Sequence, residues 1–164
     1  MKRISDKLEA LLNEQIKHEE ESSRLYRAMA ECLDFNGWTG AAKLYHKYAD
    51  EEMTHMKKFY EYLQDRDAHP MTPALVAPTY MFAGLKEVIH ASYEHEIQVS
   101  KWLDNVALSA MAEKDLPLFN FMDWFILEQR EEEGKFQKLI DRITLMEKTN
   151  TPLYFLDKEL EGMV

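Results

Sequence analysis

Two short spacings concentrate the residues that could do chemistry. Glu52-x-x-His55 lies in DEEMTHM (50–56) and Gln129-x-x-Glu132 lies in LEQREEE (127–133). Residues three apart share a helical face about one turn apart, so both side chains of each pair can converge on one point. Two further acids stand in register with them, since 52 − 19 = 33 separates Glu19 from Glu52 and 129 − 96 = 33 separates Glu96 from Gln129. The chain therefore reads as two copies of one helical hairpin, with a carboxylate from each first helix and an i, i+3 pair from each second helix.

Taken singly, Glu19 or Glu96 is most often a half-exposed acid at a helix edge, and His55 a hydrogen-bonded core imidazole. Matched spacing on four helices overrides that reading. A buried carboxylate without a counter-charge costs on the order of several kcal/mol, and no Lys or Arg occupies the apolar stripes that carry these acids. A metal is the expected compensation. Carboxylate oxygens with one imidazole and no thiolate suit iron(II) or manganese rather than structural zinc, and two metals bridged by carboxylates satisfy this many acids. One feature departs from the general di-iron pattern, in which both paired helices carry Glu-x-x-His. The second pair here lacks the imidazole, which favours iron that binds, oxidises and leaves over iron held permanently.

Helices must position these groups. Steps of four and three give the stripe Leu8, Leu12, Gln15, Glu19, Ser22, Tyr26, Met29, Leu33, and likewise Ala41, Tyr45, Tyr48, Glu52, His55, Phe59, Tyr62. Leu85, Ile89, Ser92, Glu96, Val99, Leu103, Val106 and Leu118, Met122, Phe125, Gln129, Glu132, Phe136, Leu139, Ile143 complete the set. This periodicity predicts four helices, each polar in the middle of its buried face. Ser5 is the expected N-cap of the first, which should end near DFNG (34–37). Thr39 should cap the second, running to about Asp67; the third should run from near Gly84 to about Ala112. Pro117 marks the first turn of the fourth, and Thr151-Pro152 the cap and first residue of a short fifth.

Short connections near 35–39 and 113–116 predict antiparallel neighbours. The middle connection, AHPMTPALVAPTYMFA (68–83), holds three of the five prolines and is unusually long for a compact domain. At ~3.3 Å per residue it reaches ~50 Å, enough to cross a helix of ~42 Å. The expected architecture is all-α: one domain over 1–164, a four-helix bundle with one long crossover and a short C-terminal helix.

The totals exclude several classes. Thirty acidic against twenty basic residues give a net charge of −10, which argues against nucleic acid and for cations as clients. The single cysteine, Cys32, permits no intrachain disulfide. MKRISDKLEALLNEQ is no signal peptide, and no stretch approaches the ~20 apolar residues of a membrane span. A cytoplasmic protein without a membrane partner is expected.

The motifs HEEESSRLY (18–26), EEMTHM (51–56), YEHE (93–96), FNFMDWFILEQREEE (119–133) and LYFLDKEL (153–160) resemble those of the bacterial non-haem ferritins, along nearly the whole chain. The resemblance implies a ferritin-like bundle, a hollow homo-oligomeric cage of twenty-four chains, and ferroxidase activity that oxidises iron(II) with O2 or H2O2 and stores a ferric oxyhydroxide. It also implies that one iron is held by Glu19, Glu52 and His55. A second would be held by Glu52, Glu96 and Glu132, with Gln129 as a weak ligand or hydrogen-bonding partner. A third iron site facing the cavity would use Glu51, Glu128 and Glu131 with Glu132 shared, although a solvated acidic face explains those three residues equally well. Tyr26 matches the tyrosine beside the ferroxidase centre, a candidate electron donor; an ordinary core tyrosine is the plain alternative.

The run Glu19, Glu20, Glu21 departs from relatives that carry apolar residues after the first acid. No haem is expected, because Met53 and Met56 qualify only by number and the Gln129-x-x-Glu132 pair points away from bacterioferritin. Two rivals remain at this level. A di-iron oxygenase or rubrerythrin-like peroxidase would retain its iron, and a helical interaction module would use the polar layer only to fix register.

Overall fold

The computed structural model describes residues 1–164, and its regular structure consists of five helices. Helix α1 (Asp6–Phe35) starts where expected, with the Ser5 hydroxyl accepting the Leu8 N–H at 3.2 Å. It stops before Gly37, whose φ of +85° reverses the chain. Helix α2 (Thr39–Asp65) departs from the expected capping: Thr39 is its first helical residue and Trp38 holds the N-cap position without a side-chain bond. The missing cap comes from elsewhere in the chain. The buried Asp157 carboxylate accepts the N–H groups of Gly40 (3.3 Å) and Ala41 (2.8 Å), placing a negative charge on the positive end of α2. Gly40 is required there, because a Cβ would lie 2.1 Å from the Asp157 carbonyl oxygen.

Helix α2 also stops short of the expected Asp67, which sits in the left-handed turn at φ +54°. Helix α3 (Leu85–Glu113) follows Gly84 and closes on Lys114 in the left-handed region. Helix α4 (Leu116–Lys148) has Pro117 in its first turn and is capped by Asp115, which accepts from the Leu118 N–H at 3.1 Å. Helix α5 (Tyr154–Glu161) begins two residues after the expected Pro152. The Thr151 hydroxyl pairs with that of Thr149 (2.8 Å) and does not cap α5.

Both hairpins are antiparallel. The Arg3 N–H donates to the Arg66 carbonyl (2.9 Å), joining the start of α1 to the end of α2, and Lys86 pairs with Glu147 (2.5 Å) across the open end of α3 and α4. The crossover runs along α1 as the length argument requires: the His69 N–H meets Glu9 (2.8 Å), the Met71 N–H meets the Asn13 side chain (2.7 Å), and Cys32 Sγ reaches the Phe82 carbonyl (3.6 Å). Glu9 to Cys32 spans ~35 Å of helix.

The stripes pack into two apolar clusters. One holds Tyr26, Met29, Leu33, Tyr45, Ile89, Phe136, Ile143 and Leu156; the other holds Leu8, Leu12, Ile16, Phe59, Leu63, Leu103, Met122 and Phe125. Between them lies one buried polar layer of Glu19, Glu52, Glu96, Gln129 and Glu132. No helix is long and apolar enough to cross a membrane.

Candidate metal centre

On the α1/α2 side, Glu19 and Glu52 are 2% and 7% exposed and His55 is half-buried. Each offers one ligand atom, and these atoms lie within 4.8 Å of one another. His55 Nδ1 is 3.2 Å from Glu52 Oε2 and 3.7 Å from Glu19 Oε2, and Trp124 and Phe125 meet the imidazole edge-on. Gln15, one turn before Glu19, donates to Glu19 Oε1 at 2.6 Å and fixes its orientation.

The electrostatics follow from crowding acids in an apolar shell. Burial pushes the Glu52 carboxyl well above the usual carboxylate range, the charges of Glu19 and Glu96 push it further, and the His55 hydrogen bond opposes them. Burial disfavours a charged His55, but hydrogen bonds to Glu19 and Glu52 outweigh it and push the imidazole up to about 10. Without metal, a proton on His55 is the positive charge that holds these two acids together.

On the α3/α4 side the same layer is tied up internally. Glu96 Oε1 accepts from the Tyr26 hydroxyl and Oε2 accepts from Gln129 Nε2 at 2.5 Å, while that nitrogen also reaches the Glu96 carbonyl at 3.0 Å. Burial pushes Glu96 up to about 7; the bonds from Tyr26 and Gln129 pull it down, and the charges of Glu132 and Glu19 push it up. Tyr26 is fully buried among Tyr45, Tyr48, His95 and Phe136. Burial, with Glu96 and Glu52 nearby, holds its hydroxyl far above the usual phenol range, so it acts as a neutral donor.

Glu132 is placed differently from Glu19 and Glu52. Although no cation lies on the stripes, Lys135 reaches in from one turn away and its Nζ sits 2.5 Å from Glu132 Oε1. Burial raises the Glu132 carboxyl, Lys135 lowers it, and Glu51 and Glu128 raise it, so those two half-buried acids share its surroundings. Glu131 is exposed and enters none of these contacts. Periodicity found the acids but missed Gln15 and Lys135 as their partners. The signals were present, a glutamine four residues before Glu19 and a lysine three after Glu132.

The donor set tests well against a hard cation. The convergent atoms are carboxylate oxygens and one imidazole, buried and lacking a permanent positive charge on the α1/α2 side. Fold and layer together define a four-helix bundle with a buried carboxylate-rich layer, the class that can hold metal ions in its core. The sequence comparisons narrow that class. Residues 9–146 match the family model described as a ferritin-like domain. The chain is 38% identical over 152 residues to a bacterial non-heme ferritin of Escherichia coli O6:H1, covering 93% of this chain and 92% of that one. It is 35% identical over 160 residues to a probable bacterial non-heme ferritin-like protein of Haemophilus influenzae, covering 98% and 97%. Among solved structures, an open-pore ferritin of the hyperthermophilic archaeon Archaeoglobus fulgidus superposes with a TM-score of 0.93 at 32% identity, covering 98% of each chain. The chain belongs to the ferritin family, and the bundle and motif resemblance read from the sequence are borne out.

Proposed function

We propose that this chain is a ferroxidase and iron-storage subunit that assembles with copies of itself into a twenty-four-chain cage in the cytoplasm. The observation that carries the reading is the convergence of Glu19, Glu52 and His55 within 4.8 Å inside a buried layer. Family membership supports iron as the cation.

Two iron(II) ions are the substrates. Glu19 and His55 hold the first, Glu96 and Glu132 the second, and Glu52 bridges them. Each iron gives up one electron; dioxygen takes both with two protons and leaves as hydrogen peroxide, or peroxide takes both with two protons and leaves as two waters. The residues supply position and negative charge, with no organic nucleophile. Gln15 aims Glu19, and Gln129 and Tyr26 aim Glu96. Ferric iron then hydrolyses and moves to the cavity as mineral, and the lack of a second imidazole, with Glu132 standing where the first pair has His55, favours that departure.

The test is to add a large excess of iron(II) to metal-free protein in air, sediment it, and measure particle mass and iron per chain. A twenty-four-chain particle carrying far more than about two or three irons per chain is the expected result. Iron that stops near two per chain on a small oligomer overturns storage and points to a retained-iron oxygenase or peroxidase.

A further inference from the structure

An unbroken line of aromatic rings leads from the buried layer out along the α1/α3 seam. Tyr26 bonds Glu96 of the layer and meets His95 edge-on, with ring centroids 5.9 Å apart. His95 in turn meets Trp102 edge-on at 6.2 Å, and Trp102 stacks on His18 at 3.7 Å with the planes 4° from parallel. His95 and Trp102 stand at i and i+7 on α3, and His18, Ser22 and Tyr26 follow at steps of four on α1, so helical period alone puts these groups on facing stripes. Ser22 fixes the middle ring. Its hydroxyl donates to the His18 carbonyl (2.9 Å), so its oxygen accepts from His95 Nε2 at 2.7 Å. The other rings around Tyr26, those of Tyr45, Tyr48 and Phe136, are buried, whereas Trp102 is half-buried and reaches solvent.

We propose that Trp102 is a one-electron donor to the metal centre, acting through His95 and Tyr26 when hydrogen peroxide meets a centre that holds a single iron(II). The inference rests on the ferroxidase reading above. One iron(II) gives one electron, and one electron splits peroxide into hydroxide and a hydroxyl radical. A second electron, drawn from Tyr26 and replaced from Trp102, takes both oxygen atoms to water. In sum, the O–O bond breaks, iron(II) and Trp102 each lose one electron, and the indole proton and one proton from solution join the oxygens. Ferric iron, a neutral tryptophanyl radical and two waters remain. A later iron(II) and one proton from solution restore the indole. Trp102 suits this role because the half-buried indole can release its proton to water, while the Tyr26 hydroxyl is enclosed in the core and held on Glu96. Trp124 meets His55 directly at 5.4 Å, but the Lys58 ammonium sits 4.4 Å from its ring centroid, and a cation over the ring face opposes removal of an electron. The imidazole stacked on Trp102 instead has Glu21 (3.6 Å) and Glu14 (4.0 Å) beside its nitrogens, and nearby negative charge favours electron loss.

Freeze-quench EPR with rapid-scan absorbance tests this on the intact protein, loaded under nitrogen with one iron(II) per chain and mixed with H2O2. Wild type is expected to show a tryptophanyl radical that grows as a tyrosyl signal decays, with little hydroxyl-radical adduct on a spin trap. Ring-deuterated tryptophan in the unsubstituted protein should narrow that EPR signal, which assigns it without disturbing the fold. Trp102→Phe should lose the tryptophanyl signal, leave the tyrosyl signal long-lived and release more spin adduct, and Trp102→Tyr, which keeps an oxidisable ring, should bring the adduct back down. Trp124→Phe should keep the tryptophanyl signal. A tryptophanyl signal that survives Trp102→Phe or vanishes in Trp124→Phe overturns the assignment. So does a signal indifferent to deuteration, or wild-type protein that oxidises its iron with peroxide and forms no tryptophanyl radical. The parent reading fails separately: if Glu52→Ala oxidises iron(II) with peroxide as fast as wild type, the buried layer is not the centre and the inference falls with it.

Discussion

The two hairpins carry the same 33-residue spacing, yet they treat their polar layers in opposite ways. In the α1/α2 half, Glu19, Glu52 and His55 turn their ligand atoms toward one another with only a proton to neutralise them. In the α3/α4 half, Glu96 is bonded by Tyr26 and Gln129, and Glu132 by Lys135. Repeated spacing yields repeated placement; the partner at each placement decides whether a carboxylate is free to take a metal. The first half is therefore expected to bind metal first and tightest, and the second to complete the site by exchanging existing hydrogen bonds.

Removing one acid from the convergent half should have the largest effect. Glu52→Ala takes away the carboxylate proposed to bridge the two irons and should reduce iron(II) oxidation, followed by stopped-flow absorbance, to the rate in buffer alone; rapid oxidation in that variant would refute the centre. Gln129→Ala only loosens Glu96 and should cost about tenfold, the scale of a lost supporting contact. A Gln129→Ala variant as inactive as Glu52→Ala would mean the halves are equivalent. Glu132→His puts an imidazole at the position that matches His55 in the first pair, and it should increase the iron still bound after a chelator challenge. Retention equal to wild type would show that the missing imidazole does not govern iron departure.

Acidity separates the halves on a finer scale. Glu96 is raised from 4.5 to about 7 in the fold, so its stabilising protonated form is fully present below 4.5 and is lost as pH rises through 7. His55 is raised from 6.5 to about 10, so its contribution is complete below 6.5 and fades toward 10. Both act in the same direction. The metal-free protein should become easier to unfold in urea between about pH 5 and pH 8, and Glu96→Gln should flatten the lower part of that slope. Metal binding displaces these protons, so Mn2+ affinity should rise over the same range, with proton release visible as a buffer-dependent binding enthalpy. A pH-independent affinity would contradict the protonated His55.

The smallest expected effect lies away from the layer. Asp157→Ala uncaps α2 and should cost about 2 kcal/mol in urea unfolding, with iron oxidation nearly unchanged. A large loss of oxidation would mean that α5 sets the position of Glu52 from one end of its helix.

Most of the bundle was legible because helix burial repeats every three to four residues, and the long proline-rich crossover could be recognised by its length alone. Ser5 and Pro117 were readable for the same local reason: a cap or first-turn residue acts on its own helix. Thr39 and Thr151 misled because a good local capping residue was not the group used. The α2 N-terminus is satisfied by Asp157, 116 residues after Ala41, and no local pattern encodes such a contact.

The sequence by itself determined which residues share a level of the bundle, since helical period and spacing fix that before any packing occurs. Glu19, Glu52, Glu96, Gln129 and Glu132 were found in this way, as was His55 beside them. Only the tertiary structure decided which of them face one another and which are already held. Those outcomes depend on side chains from different helices meeting across the core, as Tyr26 meets Glu96, and on how a flexible cation such as Lys135 folds back over an acid. Spacing sets the level of a charge along its helix, while the burial and partners that set its energy are properties of the packed bundle.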